Sequence, residues 1–159
     1  MAQKLSMALA VVITAIFSVE GASAVTLNDE NADAHQLISA AIGQASRLHK
    51  NIILDFGANW CFDCHVLESE IETPGLAVLV DRNFVVVQID VGKFDKNLDL
   101  ARKYHVPLKY GIPALAVLDA HGRLLYAQDH GQFEDARHMN PSALKVFLDK
   151  WKPRPGLAK

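Results

Sequence analysis

The sequence predicts an α/β domain: a mixed central sheet flanked by helices, with an extra helix ahead of the first strand. Three observations lead there. Two short runs rich in β-branched residues, "NIILDFG" and "FVVVQID", are separated by segments of helical spacing, the pattern of strands joined by helical crossovers. A third run, "PALAVLD", is followed by the turn "AHGR" and then by "LLYAQDH", which reads as a strand returning antiparallel across it. Ahead of the first strand, Ala34, Leu37, Ile38, Ala41, Ile42, Ala45 and Leu48 recur at helical spacing. Strands alternating with helices and then a closing hairpin imply a mixed sheet covered on both faces.

In order, Asn28-Asp29-Glu30-Asn31 supplies capping residues for the first helix, which ends near His49-Lys50. "NIILDFG" fits a strand buried on both faces. Val66, Leu67 and Ile71 suggest a helix that Pro74-Gly75 interrupts, and "LAVLVDR" extends it as a second piece. "DKNLDLARKYHV" reads as a short helix capped by Asp95, with Leu98, Ala101 and Tyr104 inward. Gly131–Asn140 is a polar connection with no clear pattern. Asn140-Pro141 then opens a last helix whose inward side carries Leu144, Phe147, Leu148 and Trp151, proline suiting its first position.

The chain has 159 residues, is 50% hydrophobic and carries a formal net charge of −2. That suffices for one domain with a real core, and the near-neutral balance offers nucleic acid nothing. Lys4, the apolar run from Met7 to Val19 and the small residues Ala22 and Ala24 make a cleavable secretory signal over residues 1–24. The run is shorter than the ~20 apolar residues a membrane span needs. Residues 25–159 are therefore expected to form the mature, exported domain, its core at about 51–151. Only two cysteines are present. A bridge between Cys61 and Cys64 would close too short a loop to constrain the unfolded chain much, so the pair is expected to serve chemistry.

Two chemistries share the letters "CFDCH". Cys61-Phe62-Asp63-Cys64 is a C-x-x-C redox pair; with His65 it becomes C-x-x-C-H, the attachment signature of a c-type haem. The alternation of strands and helices, and the polar surroundings of Met139, favour the dithiol over haem, which usually needs a second iron ligand. The remaining histidines show no metal-ligand spacing, and the cysteines with His65 lack an evident fourth ligand for zinc. No metal and no haem are expected.

"LDFGANWCFDC" and "YGIPALAVLD" resemble the thioredoxin superfamily, over nearly all of Ile52–Trp151. The tail "FEDARHMNPSALKVFL" is similar to exported members. The resemblance implies a thioredoxin fold, thiol:disulfide oxidoreductase activity and a redox-active Cys61–Cys64 disulfide. It makes Cys61 the attacking thiolate, Cys64 the deeper resolving thiol, and Asp55 the group beneath them that takes and returns the Cys64 proton. It implies that Pro113 is a cis-proline facing the pair, with the Ile112 backbone and Trp60 meeting the substrate. A helix N-terminus would depress the Cys61 pKa in any case.

This chain departs from the family by Phe62-Asp63 between the cysteines, and by Gly57 and Asn59 before them. An acidic Asp63 disfavours the Cys61 thiolate and makes the pair more reducing; His65, on the exposed side, is expected to modulate it. The expected protein is thus a periplasmic or secreted monomer that reduces disulfides of exported proteins or apocytochromes and draws electrons from a membrane-embedded thiol reductant. A c-type haem protein and a non-catalytic binding or chaperone module are the alternatives. With no separate dimerisation segment ahead of the domain, isomerase activity is the lesser expectation.

Overall fold

The computed structural model describes residues 29–140 and 142–154; residues 1–28, with the expected signal segment, and Pro141, expected to open the last helix, lie outside them, as do the last five residues. Helix α1 (Ala34–Leu48) starts at Asp33, whose carboxylate accepts from the N–H groups of His35 and Gln36. The cap is therefore Asp33 and not the Asn28–Asn31 stretch, where the Asp29 carboxylate instead accepts from the N–H of Asn31. The helix closes on His49 in the left-handed region, its N–H bonded to the Ala45 carbonyl.

Strand β1 (Asn51–Gly57) is buried along its whole length. It leads through α2 (Phe62–Ile71) and α3 (Pro74–Asn83) into β2 (Phe84–Asp90). Pro74 stands at the first position of α3, where a missing N–H costs no hydrogen bond. Helix α4 (Leu98–Lys103) is preceded by Asn97, not by Asp95; the Asp95 carboxylate accepts from the N–H of Lys93 in the turn before it. Strands β3 (Ala114–Leu118) and β4 (Leu124–Ala127) form the hairpin, and α5 (Ala143–Trp151) closes the chain. β4 is shorter than "LLYAQDH", because Gln128 turns inward and its side-chain oxygen accepts from the Leu115 N–H at 3.2 Å.

The sheet order is β2-β1-β3-β4. β1 runs parallel to β2 and antiparallel to β3, so the central strand is hydrogen-bonded on both edges. Its side chains alternate between two cores. Ile52, Leu54 and Phe56 join Ala34, Ile38, Ala41 and Ala45 of α1 and Leu100 of α4. Ile53 joins Leu67, Leu76, Val80, Leu144, Phe147 and Leu148 from α2, α3 and α5. Asp55 is next in the Ile53 series, so the alternation turns its carboxylate toward the α2 face.

The 131–140 connection is not a free loop. Phe133 and Ala136 are buried in that second core, the Phe133 ring edge-on to Phe147 at 5.1 Å. A 3₁₀ turn at Ala136–His138 packs against α2.

Candidate active site

β1 delivers the chain to Gly57, and a turn through Ala58–Trp60 sets Cys61 at the N-cap of α2. The Cys61 sulfur does there what a serine or aspartate oxygen usually does. It accepts the N–H of Cys64 at 3.1 Å, one of the donors that a helix start leaves unpaired. The two cysteines are joined as a disulfide, their Cα atoms 5.3 Å apart. Across from them the Ile112–Pro113 peptide is cis, and the Ile112 carbonyl oxygen lies 3.5 Å from the Cys61 sulfur. Cys61, Cys64, Ile112 and Pro113 thus meet at one place. Cys61 and Cys64 are buried alike, the bridge holding both in the same core cluster.

Trp60 is 57% exposed. Its indole N–H donates to the Gly92 carbonyl at 2.7 Å, and its ring meets Phe94 edge-on. It is a pinned surface aromatic, not a core residue. Phe62 is 61% exposed on the other side of Cys61. Phe94, Leu108, Lys109, Tyr110 and Gly111 line a shallow groove nearby. The covered disulfide therefore lies under an aromatic rim.

Asp55 is buried, and its Oδ1 finds no hydrogen-bond partner among the described residues. Burial, with a smaller contribution from the nearby Glu68 charge, pushes its carboxyl up to about 7. Gln88, opposite Asp55 in the parallel register, donates its amide to Glu68 at 3.1 Å. Glu68 stands one turn beyond Cys64 on α2, a spacing that puts the two on one helix face. Such a carboxyl can accept a thiol proton near neutral pH.

His65 Nε2 is hydrogen-bonded to the Asn59 carbonyl at 2.8 Å. Its ring is thereby tied to the turn before the helix.

The expectation for Asp63 needs correcting. The carboxylate is not an unbalanced charge beside Cys61. The backbone N–H and the Nε of Arg137 donate to its Oδ1 at 3.1 and 3.0 Å, and Nη2 donates to Oδ2. The Arg137 hydrogen bonds hold the Asp63 carboxyl down at about 2. Arg137, Glu68 and Gln88 are residues that sequence reasoning missed. The signal for Arg137 was Asp63 itself, a charge on a helix face that must be buried and therefore needs a partner.

Among the described residues no cluster of three or more His, Cys, Asp or Glu side chains is placed to hold a metal. A thiolate stabilised by helix N–H groups, with a second cysteine one turn on to resolve the mixed disulfide, performs thiol–disulfide exchange. The pair is that of a thiol:disulfide oxidoreductase on a thioredoxin fold. The chain belongs to the thioredoxin-like family, whose model matches residues 24–120. A disulphide isomerase from Xylella fastidiosa Temecula1 is 38% identical, over 80% of this chain and 98% of that one, with a TM-score of 0.74. Thioredoxin-1 of Drosophila yakuba is 39% identical over 74 residues, which are 46% of this chain and 59% of that protein. A Thermus thermophilus thioredoxin at 20% identity, covering 70% of this chain and 81% of that one with a TM-score of 0.53, shares the fold.

Proposed function

We propose that the protein works outside the cytosol, in the periplasm or after secretion, as a monomeric reductant of disulfides in exported proteins or apocytochromes. The observation that carries the direction is Asp55. When ionised, this buried carboxylate, whose Oδ1 has no hydrogen-bond partner among the described residues, disfavours a second negative charge on the thiols at the start of α2, the helix whose Glu68 charge reaches it. That favours the disulfide over the dithiol and makes the dithiol a good donor.

The cycle starts from the dithiol. The Cys61 thiolate attacks one sulfur of a client disulfide, forming a mixed disulfide and expelling the other client sulfur as thiolate. Asp55 takes the Cys64 proton. The Cys64 thiolate then attacks the Cys61 sulfur and expels the second client sulfur, which takes the proton back from Asp55 and leaves as a thiol, so the Cys61–Cys64 disulfide remains and Asp55 is ionised again. Two electrons and two protons from a membrane-embedded thiol reductant restore the dithiol.

Equilibration of the mature protein across a glutathione or dithiothreitol series, followed by alkylation, reads the midpoint. Two thiols titrating together near −270 mV, about the thioredoxin value, are expected. A midpoint near −120 mV, about that of a strong periplasmic oxidant, would overturn the reductant reading. One observation favours a second reading. The Xylella relative is called a disulphide isomerase, and a midpoint near about −180 mV, with reactivation of a scrambled disulfide protein, would move the assignment there.

A further inference from the structure

The redox motif carries a carboxylate at the second position of α2, between the cysteines, and the chain answers it from 74 residues away. A helix start supplies about half a positive charge. Asp63 brings a full negative one to the same turn. Left alone, it would cancel the field that stabilises the Cys61 thiolate and reverse its sign. Arg137 restores the balance with three donors on that carboxylate. Its guanidinium also lies 4.9 Å over the ring of Phe62, the exposed residue next to Cys61.

The arginine is not a drifting surface side chain. It sits in the Ala136–His138 turn, which buried Phe133 and Ala136 anchor against the second core. Asp63 also feels a second positive group. His138 adds a small positive influence on it, and His138 is itself paired with Asp135 at 2.8 Å.

We propose that Arg137 is a positioning residue that sets the redox poise of the Cys61–Cys64 pair by neutralising Asp63. The 131–140 segment thus acts as a clamp from outside the motif. The proposal rests on the oxidoreductase reading of the pair. No electrons or protons beyond those of the proposed exchange are involved; Arg137 changes the relative stability of dithiol and disulfide.

The test is a charge cycle on the mature protein: wild type, Arg137→Gln, Arg137→Lys, Asp63→Asn and the double Asp63→Asn/Arg137→Gln. Midpoints come from the glutathione series, and the Cys61 thiolate from the pH dependence of alkylation. Arg137→Gln is expected to favour the disulfide by roughly tenfold, about 30 mV toward the reducing side for a two-electron couple, and to raise the pH at which alkylation begins. Asp63→Asn should move both readouts the opposite way, the double variant should return close to wild type, and Arg137→Lys should stay near it.

A merely structural clamp would give Arg137→Gln and Asp63→Asn shifts of the same sign, and that result overturns the proposal. So do variants that all coincide with wild type. If Arg137→Gln does not fold, the opposite shift in Asp63→Asn and the near-native potential of Arg137→Lys still decide the matter. A wild-type protein with no two-thiol couple would sink the oxidoreductase reading instead, which separates the two failures.

Discussion

At Asp55 two requirements pull against each other. The proposed exchange cycle asks Asp55 to accept the Cys64 proton, and the core of a central strand disfavours a charge. The structure resolves this by letting the carboxyl titrate near 7 instead of near its ordinary 3.8. The stability consequence has a definite sign. Between about pH 4 and 7 the unfolded chain has released the Asp55 proton while the folded one still holds it, so stability falls as pH rises through that window. It is level above it. Asp55→Asn removes the effect. Its stability relative to wild type is expected to grow from pH 4 to pH 7 and then hold, by an amount on the order of a few kcal/mol. Urea unfolding of both proteins at pH 4, 5, 6, 7 and 8 measures this, and parallel curves across the series would show that Asp55 is not held protonated. The residue was legible in the sequence as an acid inside an apolar strand. Its neighbours Glu68 and Gln88 were not, since their closeness depends on how α2 lies over the strand register.

Helix α2 shows what an element contributes beyond its own residues. Its start can be read locally, from a strand-ending glycine, a short turn and a cysteine able to cap. Its charge balance cannot, because Arg137 arrives from a segment whose composition looks like plain polar loop. The strands were legible because short apolar runs rich in β-branched residues are a local signal. The caps of α1 and α4 were misplaced because several Asn and Asp residues crowd each start, and only backbone geometry selects Asp33 and Asn97. For the 131–140 segment the deciding feature is Phe133, one apolar side chain that ties a polar stretch to α5. Phe133→Ala is expected to cost about 3 kcal/mol of stability by opening a cavity against Phe147. It should also loosen the Arg137 turn, shifting the midpoint in the same direction as Arg137→Gln. An unfolding midpoint equal to wild type would show that Phe133 does not anchor the segment.

At the scale of the whole chain, what separates the proposed function from its alternatives is covalent chemistry and the site of cleavage. The proposed export signal ends at Ala24, ahead of the described residues, and the motif "CFDCH" carries the signature that haem attachment reads. Both matters change the mass of the protein and neither depends on its activity. Intact mass of the protein recovered from the periplasm of a two-membrane host is expected to match Val25–Lys159 less the two hydrogens of the Cys61–Cys64 disulfide. After reduction and alkylation it should gain two alkyl groups. A haem-sized increment with no alkylatable thiol would make the chain a c-type cytochrome and remove any role for Asp55. A chain still beginning at Met1 and found with the membrane would mean that the apolar run anchors the domain. The redox centre would then work at a surface and not in solution, which would restrict its clients to proteins emerging at or held by that membrane.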